Sequence, residues 1–192
     1  MIAKNKDYDI VVVGSGAAGQ AAALTARENG ASVLMLEKGR HTGGSANYSE
    51  GLFAVNSYLQ KEQGIKVSGT AVLKEEVEYS KYKADSRIWR EYVDSSAENV
   101  KWLHDEGVEY EGVQAMGTGE ATWHIYKGFG DAVMHKALQP KFEKLGGELL
   151  TSTSAVNLKV NDDHTKIITI KDKATGETEE ITAKVVILAA GG

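Results

Sequence analysis

Asp9-Ile10-Val11-Val12-Val13-Gly14-Ser15-Gly16-Ala17-Ala18-Gly19 opens a stretch that continues, through an Ala-rich segment and Asn29-Gly30, into Ser32-Val33-Leu34-Met35-Leu36-Glu37-Lys38. Ile10 to Val13 are four β-branched residues in a row, stopped by glycine, which suits a strand buried on both faces. Gly14, Gly16 and Gly19 then form G-x-G-x-x-G where that strand would pass into a helix. In this pattern Gly14 allows the tight turn, Gly16 lets the main chain approach a pyrophosphate, and Gly19 lets the helix pack close on the strand. The helix start aims its free N–H groups at the phosphates. Glu37 closes the second apolar run, eighteen residues after Gly19, where a carboxylate can accept from both ribose hydroxyls of an adenosine. Such a glycine pattern alone is weak evidence. Here the strand before it, the Ala-rich helix, the stop at Gly30, the second strand and its terminal acid all fall in order. The stretch reads as a dinucleotide-binding βαβ unit.

Outward from it, Gly39-Arg40-His41-Thr42-Gly43-Gly44-Ser45-Ala46-Asn47-Tyr48-Ser49-Glu50-Gly51 holds four glycines in thirteen residues. Such a loop cannot pack on its own side chains, and its position after Glu37 suits wrapping a ligand. Charged helices follow from about Thr70. Ile88, Trp89, Tyr92, Val93, Ser96, Val100 and Leu103 recur at helical spacing between a capping Asp85 and a stopping Gly107. At that spacing the aromatic residues belong to a core rather than to a base-stacking surface. Gly117–Gly130 is Gly-rich and aromatic together. A helix then carries Val133, Met134, Ala137, Leu138, Phe142 and Leu145, with Pro140 inside it, so a kink or two shorter helices are expected. The last third reads as a β-meander (Glu148–Thr151, Ala155–Val160, Lys166–Lys171 and Glu177–Thr182). Val185–Ala189 reads as a final buried strand running into Ala190-Gly191-Gly192, with its C-terminal end at the ligand crevice. Domains seldom stop at such a point, so the chain reads as the N-terminal part of something longer.

The 22 Lys and Arg against 27 Asp and Glu leave a net charge of -5, which supplies no basic field for nucleic acid or an anionic membrane surface. Cysteine is absent, which removes disulfides, Cys-ligated zinc and iron–sulfur clusters. No His, Asp and Glu group has metal-ligand spacing. The polar N-terminus lacks a signal-peptide core, and no apolar run approaches the ~20 residues of a membrane span. A cytoplasmic location is the expectation.

With these blocks in view, the chain resembles the N-terminal flavin-binding region of the fumarate reductase/succinate dehydrogenase flavoprotein superfamily. It is most similar to the soluble branch of fumarate reductases, urocanate reductases and 3-ketosteroid dehydrogenases. The resemblance rests on Asp9–Gly19, Leu36-Glu37-Lys38, Gly43-Gly44-Ser45-Ala46-Asn47 and Val185–Gly192, the last with Ala190 where the family pattern has threonine. It implies an α/β fold: a Rossmann-like FAD/NAD(P)-binding domain with a parallel sheet, a β-meander and a helical insertion, its capping domain beyond this chain. Residues 1–55 would be the dinucleotide-binding βαβ with its Gly-rich loop, 56–147 the helical segment, and 148–192 the meander and return strand.

The resemblance implies non-covalent FAD rather than NAD. Gly14, Ser15, Gly16, Ala17, Ala18 and Gly19 would lie under the pyrophosphate, and Glu37 on the adenosine ribose. Lys38, Gly43, Gly44, Ser45 and Ala46, with Gly51 closing the loop, would cover the ribityl and pyrophosphate region. Ala155 would offer its backbone to the adenine, while Ala189, Ala190 and Gly191 close over the cofactor. His124, in Trp123-His124-Ile125-Tyr126, stands where the family carries a substrate-gripping histidine, but the Arg-Pro pair beside it is missing. The alternative is a histidine satisfied by loop backbone. His41 has neighbours of the soluble branch, hence the expectation that flavin is not covalently attached. The implied chemistry is hydride transfer between flavin N5 and an activated C=C bond of a small substrate such as an unsaturated carboxylate. Two alternatives remain: a non-catalytic nucleotide-binding module, and an NAD-binding domain of a dehydrogenase, which Glu37 alone would permit.

Overall fold

The computed structural model describes residues 2–116 and 119–191. Gly117 and Thr118, which open the Gly-rich stretch, and Gly192, which ends the closing block, lie outside the described residues. Contacts divide the chain into two units, residues 1–47 with 134–192, and residues 48–133.

The first unit is built on β1 (Asp7–Val13), α1 (Ala17–Glu28) and β2 (Val33–Leu36). β1 pairs in parallel with β2, and Val11 and Val12 are wholly buried, as a strand with no exposed face requires. Ala23 and Leu24 turn the inner face of α1 into the core. β6 (Glu148–Leu150), β7 (Thr153–Val160), β8 (Lys166–Asp172) and β9 (Thr178–Leu188) complete a six-stranded sheet in the order β6-β2-β1-β9-β8-β7. Its β6-β2-β1-β9 part is parallel, and β9-β8-β7 is the antiparallel meander.

One strand departs from the sequence reading. Glu177–Thr182 and Val185–Ala189 are not separate strands but halves of β9. Its first part pairs with β8 and its later part with β1, overlapping at Thr182 and Ala183. No glycine or proline stands between the two halves, so nothing turns the chain. The meander is therefore continuous with the nucleotide-type sheet, and Tyr8, Val11, Leu34, Leu36, Ile168, Ile170 and Ile181 share one apolar cluster.

The N-terminal residues are tied to this sheet by two carboxylates. Glu179 accepts from the Ile2 and Ala3 N–H groups and pairs with Lys6 at 2.6 Å. Glu148 accepts from the Lys4 N–H and the Tyr8 hydroxyl, both at 2.7 Å.

The second unit holds β3 (Gly51–Phe53), α2 (Tyr58–Glu62), α3 (Gly69–Tyr79), α4 (Ser86–Asp105), β4 (Tyr110–Gln114), β5 (Trp123–Tyr126) and the short α5 (Phe129–Asp131). Asp85 caps α4 by accepting from the Arg87 N–H at 2.9 Å, and Val93, Ser96, Val100 and Leu103 form its buried face. Trp89 meets Phe53 edge-on at 5.7 Å, and Tyr92 stacks on Phe53 at 5.6 Å, so these rings serve a core. Two strands within the segment read as helical, β4 and β5, join β3 in a three-stranded antiparallel sheet ordered β3-β5-β4.

Around Pro140, where a kink or two shorter helices were expected, a π-helical stretch, Ala132–Leu138, is followed by α6 (Gln139–Lys144). Proline cannot donate to the carbonyl four residues back, and the helix widens just ahead of it.

Candidate functional site

In the first unit β1, β2 and β9 all end at one edge of the sheet, at Val13, Leu36 and Leu188. Gly14 N–H donates to Leu36 O and Ala189 N–H to Val13 O, each at 2.8 Å, which ties the three strand ends together. Gly14 takes a left-handed φ of +103°, and a Cβ there would lie 2.2 Å from the Ala189 carbonyl oxygen. A Cβ on Gly19 would lie 1.9 Å from the Gly14 carbonyl oxygen, so helix and turn touch through a position that admits only hydrogen. Beyond them Ala17 and Ala18 are exposed, and Gly16, in extended backbone, precedes the helix with no side chain capping it. The first N–H groups of α1 are thus open to an outside acceptor.

A cleft of about 190 Å³ lies at the same edge, lined by Val13, Gly14, Leu36, Glu37, Lys38, Thr153, Ser154, Ala155 and Ala190. Glu37 is locked into it through its main chain: its N–H donates to Leu150 O at 2.8 Å, and its carbonyl accepts from Thr153 N–H at 2.9 Å. The Glu37 carboxylate accepts from the Ser15 hydroxyl at 2.5 Å and the Ser15 N–H at 3.2 Å through Oε2, and from the Gly39 N–H at 2.7 Å through Oε1. Burial opposes its charge, but these donors outweigh the burial and hold the carboxyl below its ordinary range. Ala155 reaches the cleft from β7, just before a register shift between Ala155 and Asn157.

The Gly-rich loop joins this edge by main-chain bonds. Gly43 N–H donates to Ser15 O at 2.9 Å, making a bridge between Gly16 and Gly43, and Gly44–Tyr48 forms a 3-10 turn. Ser45 is exposed and Ala46 half-buried. Asn47 donates through Nδ2 to Thr42 O at 2.8 Å, while its Oδ1 is buried with no partner among the described residues.

The structure therefore brings together Gly14–Gly19, Glu37, Lys38, Gly43–Ala46, Ala155 and Ala189–Gly191 in the first unit. Two expected residues belong to the second unit. Gly51 pairs with Ile125 in the small sheet, and a Cβ there would lie 2.2 Å from the His124 carbonyl oxygen, so strand packing accounts for this glycine. His124 is fully buried, with Nε2 at 2.6 Å from the Ser57 hydroxyl and Nδ1 at 3.0 Å from Thr122 O. Burial depresses its pKa despite backbone hydrogen bonds to Thr122 and Leu52. His124, expected to grip substrate, thus has both ring nitrogens engaged within the second unit, Nε2 by a side chain and Nδ1 by backbone. Sequence reasoning passed over Thr153 and Ser154, which line the cleft, and Thr42 and Gln139, which bond to each other. None of the four carries a motif.

The exposed helix start, the uncapped N–H groups and an acid beside the strand ends form neutral donors for a diphosphate and an acceptor for a ribose. They fit the adenosine diphosphate portion of a dinucleotide. A family model described as an FAD binding domain matches residues 9–192. Vinyl phenol reductase of Lactiplantibacillus plantarum is 67% identical over 192 residues, covering 100% of this chain and 39% of that protein. Urocanate reductase of Eggerthella lenta is 32% identical, covering 97% of this chain and 32% of that protein. Among solved structures, the open conformation of a flavocytochrome c3 fumarate reductase superposes with a TM-score of 0.86 at 26% identity, covering 98% of this chain and 34% of that one. The chain thus spans about two fifths or less of these relatives. Among the described residues no helix is long and apolar enough to cross a membrane, and no group of side chains could hold a metal ion.

Proposed function

This chain belongs to that family of FAD binding domains, and we propose that it forms the cofactor cradle of an oxidoreductase that reduces activated C=C bonds. FAD, when bound, supplies the hydride chemistry, and the residues of this chain place and hold it. In this reading the N–H groups of Gly16 to Gly19 take the pyrophosphate, with Ser15 completing the turn. Glu37 takes the adenosine ribose. Its Oε1 has an accepting position left for one hydroxyl, and rotation of the Ser15 hydroxyl frees Oε2 for the other. Lys38 and Gly43 to Ala46 cover the diphosphate and ribityl chain, Ala155 borders the adenine, and Ala189 to Gly191 close the far side.

The carrying observation is Glu37. Its main chain is pinned on both sides and its carboxylate is held ionised at the mouth of the cleft, beside an uncapped helix start.

For the substrate, the 67% identity to a vinyl phenol reductase supports an alkene conjugated to a phenol ring over a simple unsaturated dicarboxylate. The reaction would add a hydride and a proton across the vinyl group and give the ethyl phenol. Anaerobic reoxidation of the reduced holoprotein tests this. A vinyl phenol should reoxidise the flavin faster than fumarate or urocanate does. Faster reoxidation by fumarate would reject this substrate class.

A further inference from the structure

Thr42 has the side chain of an ordinary loop residue, yet it is only 3% exposed. Its hydroxyl donates to Gln139 Oε1 at 2.6 Å and lies 3.3 Å from His135 Nδ1. With the hydroxyl proton committed to Gln139, the His135 ring donates to the Thr42 oxygen through Nδ1–H. The Thr42 carbonyl accepts from Asn47, so both ends of this residue are held. Gly43, the next residue, donates to Ser15 in the pyrophosphate turn, and Ala46 N–H closes the loop onto Gly43 O at 3.0 Å. Gln139 is itself oriented, its Nε2 lying 3.1 Å from Glu143 Oε1. It sits where the π-helical stretch gives way to α6, and His135 sits within that stretch. Such widened turns are enriched where a helix must aim side chains at a site.

We infer that Thr42, gripped by Gln139 and His135, is a positioning residue that fixes the Gly43–Ala46 loop over the cofactor and so sets FAD affinity. This rests on the proposed role of that loop. Thr42 touches no cofactor in this scheme: it acts through the Gly43 main chain. A supporting group of this kind matters because a loop ordered beforehand loses less freedom when the ligand arrives.

The test uses Thr42→Val, which keeps the shape and removes the hydroxyl, Thr42→Ser, which restores it, and Gln139→Leu. FAD and AMP are titrated separately into each apoprotein, and amide hydrogen exchange is followed at Gly43 and Ala46. Loss of the buried hydroxyl, with its bonds to Gln139 and His135, predicts FAD binding about tenfold weaker in Thr42→Val, with Thr42→Ser near the parent. The double variant Thr42→Val/Gln139→Leu should be no worse than Thr42→Val alone, because that change already removes the bond to Gln139. AMP, which reaches only the Glu37 end, should bind unchanged, while exchange at Gly43 and Ala46 accelerates. Unchanged FAD affinity in Thr42→Val, or FAD and AMP weakened equally without rescue by serine, overturns the inference. If the folded parent binds no FAD but Thr42→Val still speeds exchange at Gly43, the anchoring stands and the assigned role of the loop fails.

Discussion

Gly19 has room for a hydrogen atom and nothing larger, because the carbonyl of Gly14 occupies the place of a Cβ. Gly19→Ala should therefore cost about 1–3 kcal/mol of stability through forced separation of α1 from β1, measured by urea denaturation. The same separation moves the helix start, so FAD binding should weaken beyond what partial unfolding explains. Glu37→Gln tests the other end of the site without changing its shape. Replacing charge-assisted hydrogen bonds with neutral ones should weaken both FAD and AMP by about tenfold to a hundredfold. Unchanged AMP affinity would remove Glu37 from the ribose. Single residues were unequally legible in the sequence. Glu37 could be found because it ends a strand at a spacing with a mechanism. Thr42 and Gln139 stand 97 positions apart, so their bond exists only in the fold.

Elements tell a similar story. β1, α1 and β2 were readable because a β-branched run, three glycines and an Ala-rich segment each carry their own local physics. β3, β4 and β5 were not. They are three to five residues long, β5 buries His124 and Tyr126 rather than Trp123 and Ile125, and the register of β4 shifts between Tyr110 and Gly112, so no ordinary apolar periodicity announces them. β5 nevertheless decides the fate of His124. Its strand buries the ring, and Ser57, at the cap of α2, meets it at Nε2. Burial lowers the His124 pKa from its ordinary 6.5, so at a pH between the folded and unfolded values the unfolded chain binds more protons. The neutral ring thus contributes stability that is present above pH 6.5 and is lost as pH falls below it. Denaturation midpoints at pH 7.5 and at about pH 5.5 should show this loss, and it should shrink when His124 is replaced by glutamine. Ser57→Ala removes a capping box as well as the histidine's partner, and should cost about 1–2 kcal/mol in the same assay.

At the scale of the whole molecule, the first unit is held by contacts between the start of the chain and its last third. Glu179 binds Ile2, Ala3 and Lys6 across more than 170 positions. The Lys6 ammonium and the two backbone donors lower its pKa from 4.5 to about 2. Its stabilising contribution is complete above pH 4.5 and is lost as pH falls toward 2, so acid should release the N-terminal residues. Glu179→Gln should remove that part of the acid dependence, seen as faster amide exchange at Ile2 and Ala3 already at neutral pH. The parallel sheet, its meander and a dinucleotide site were legible because strand, turn and acid follow one order along the chain, and the choice of flavin came from the family resemblance. The continuity of β9 was not, since a strand that changes partners midway looks like two strands. The central claim is that this unit is a cradle for FAD and not for a nicotinamide dinucleotide. Titration of the apoprotein with FAD, followed by flavin fluorescence with NAD as competitor, tests it most directly. Saturable FAD binding that excess NAD leaves in place is the predicted result. Displacement of FAD by NAD, or no FAD binding by a folded protein, would contradict it.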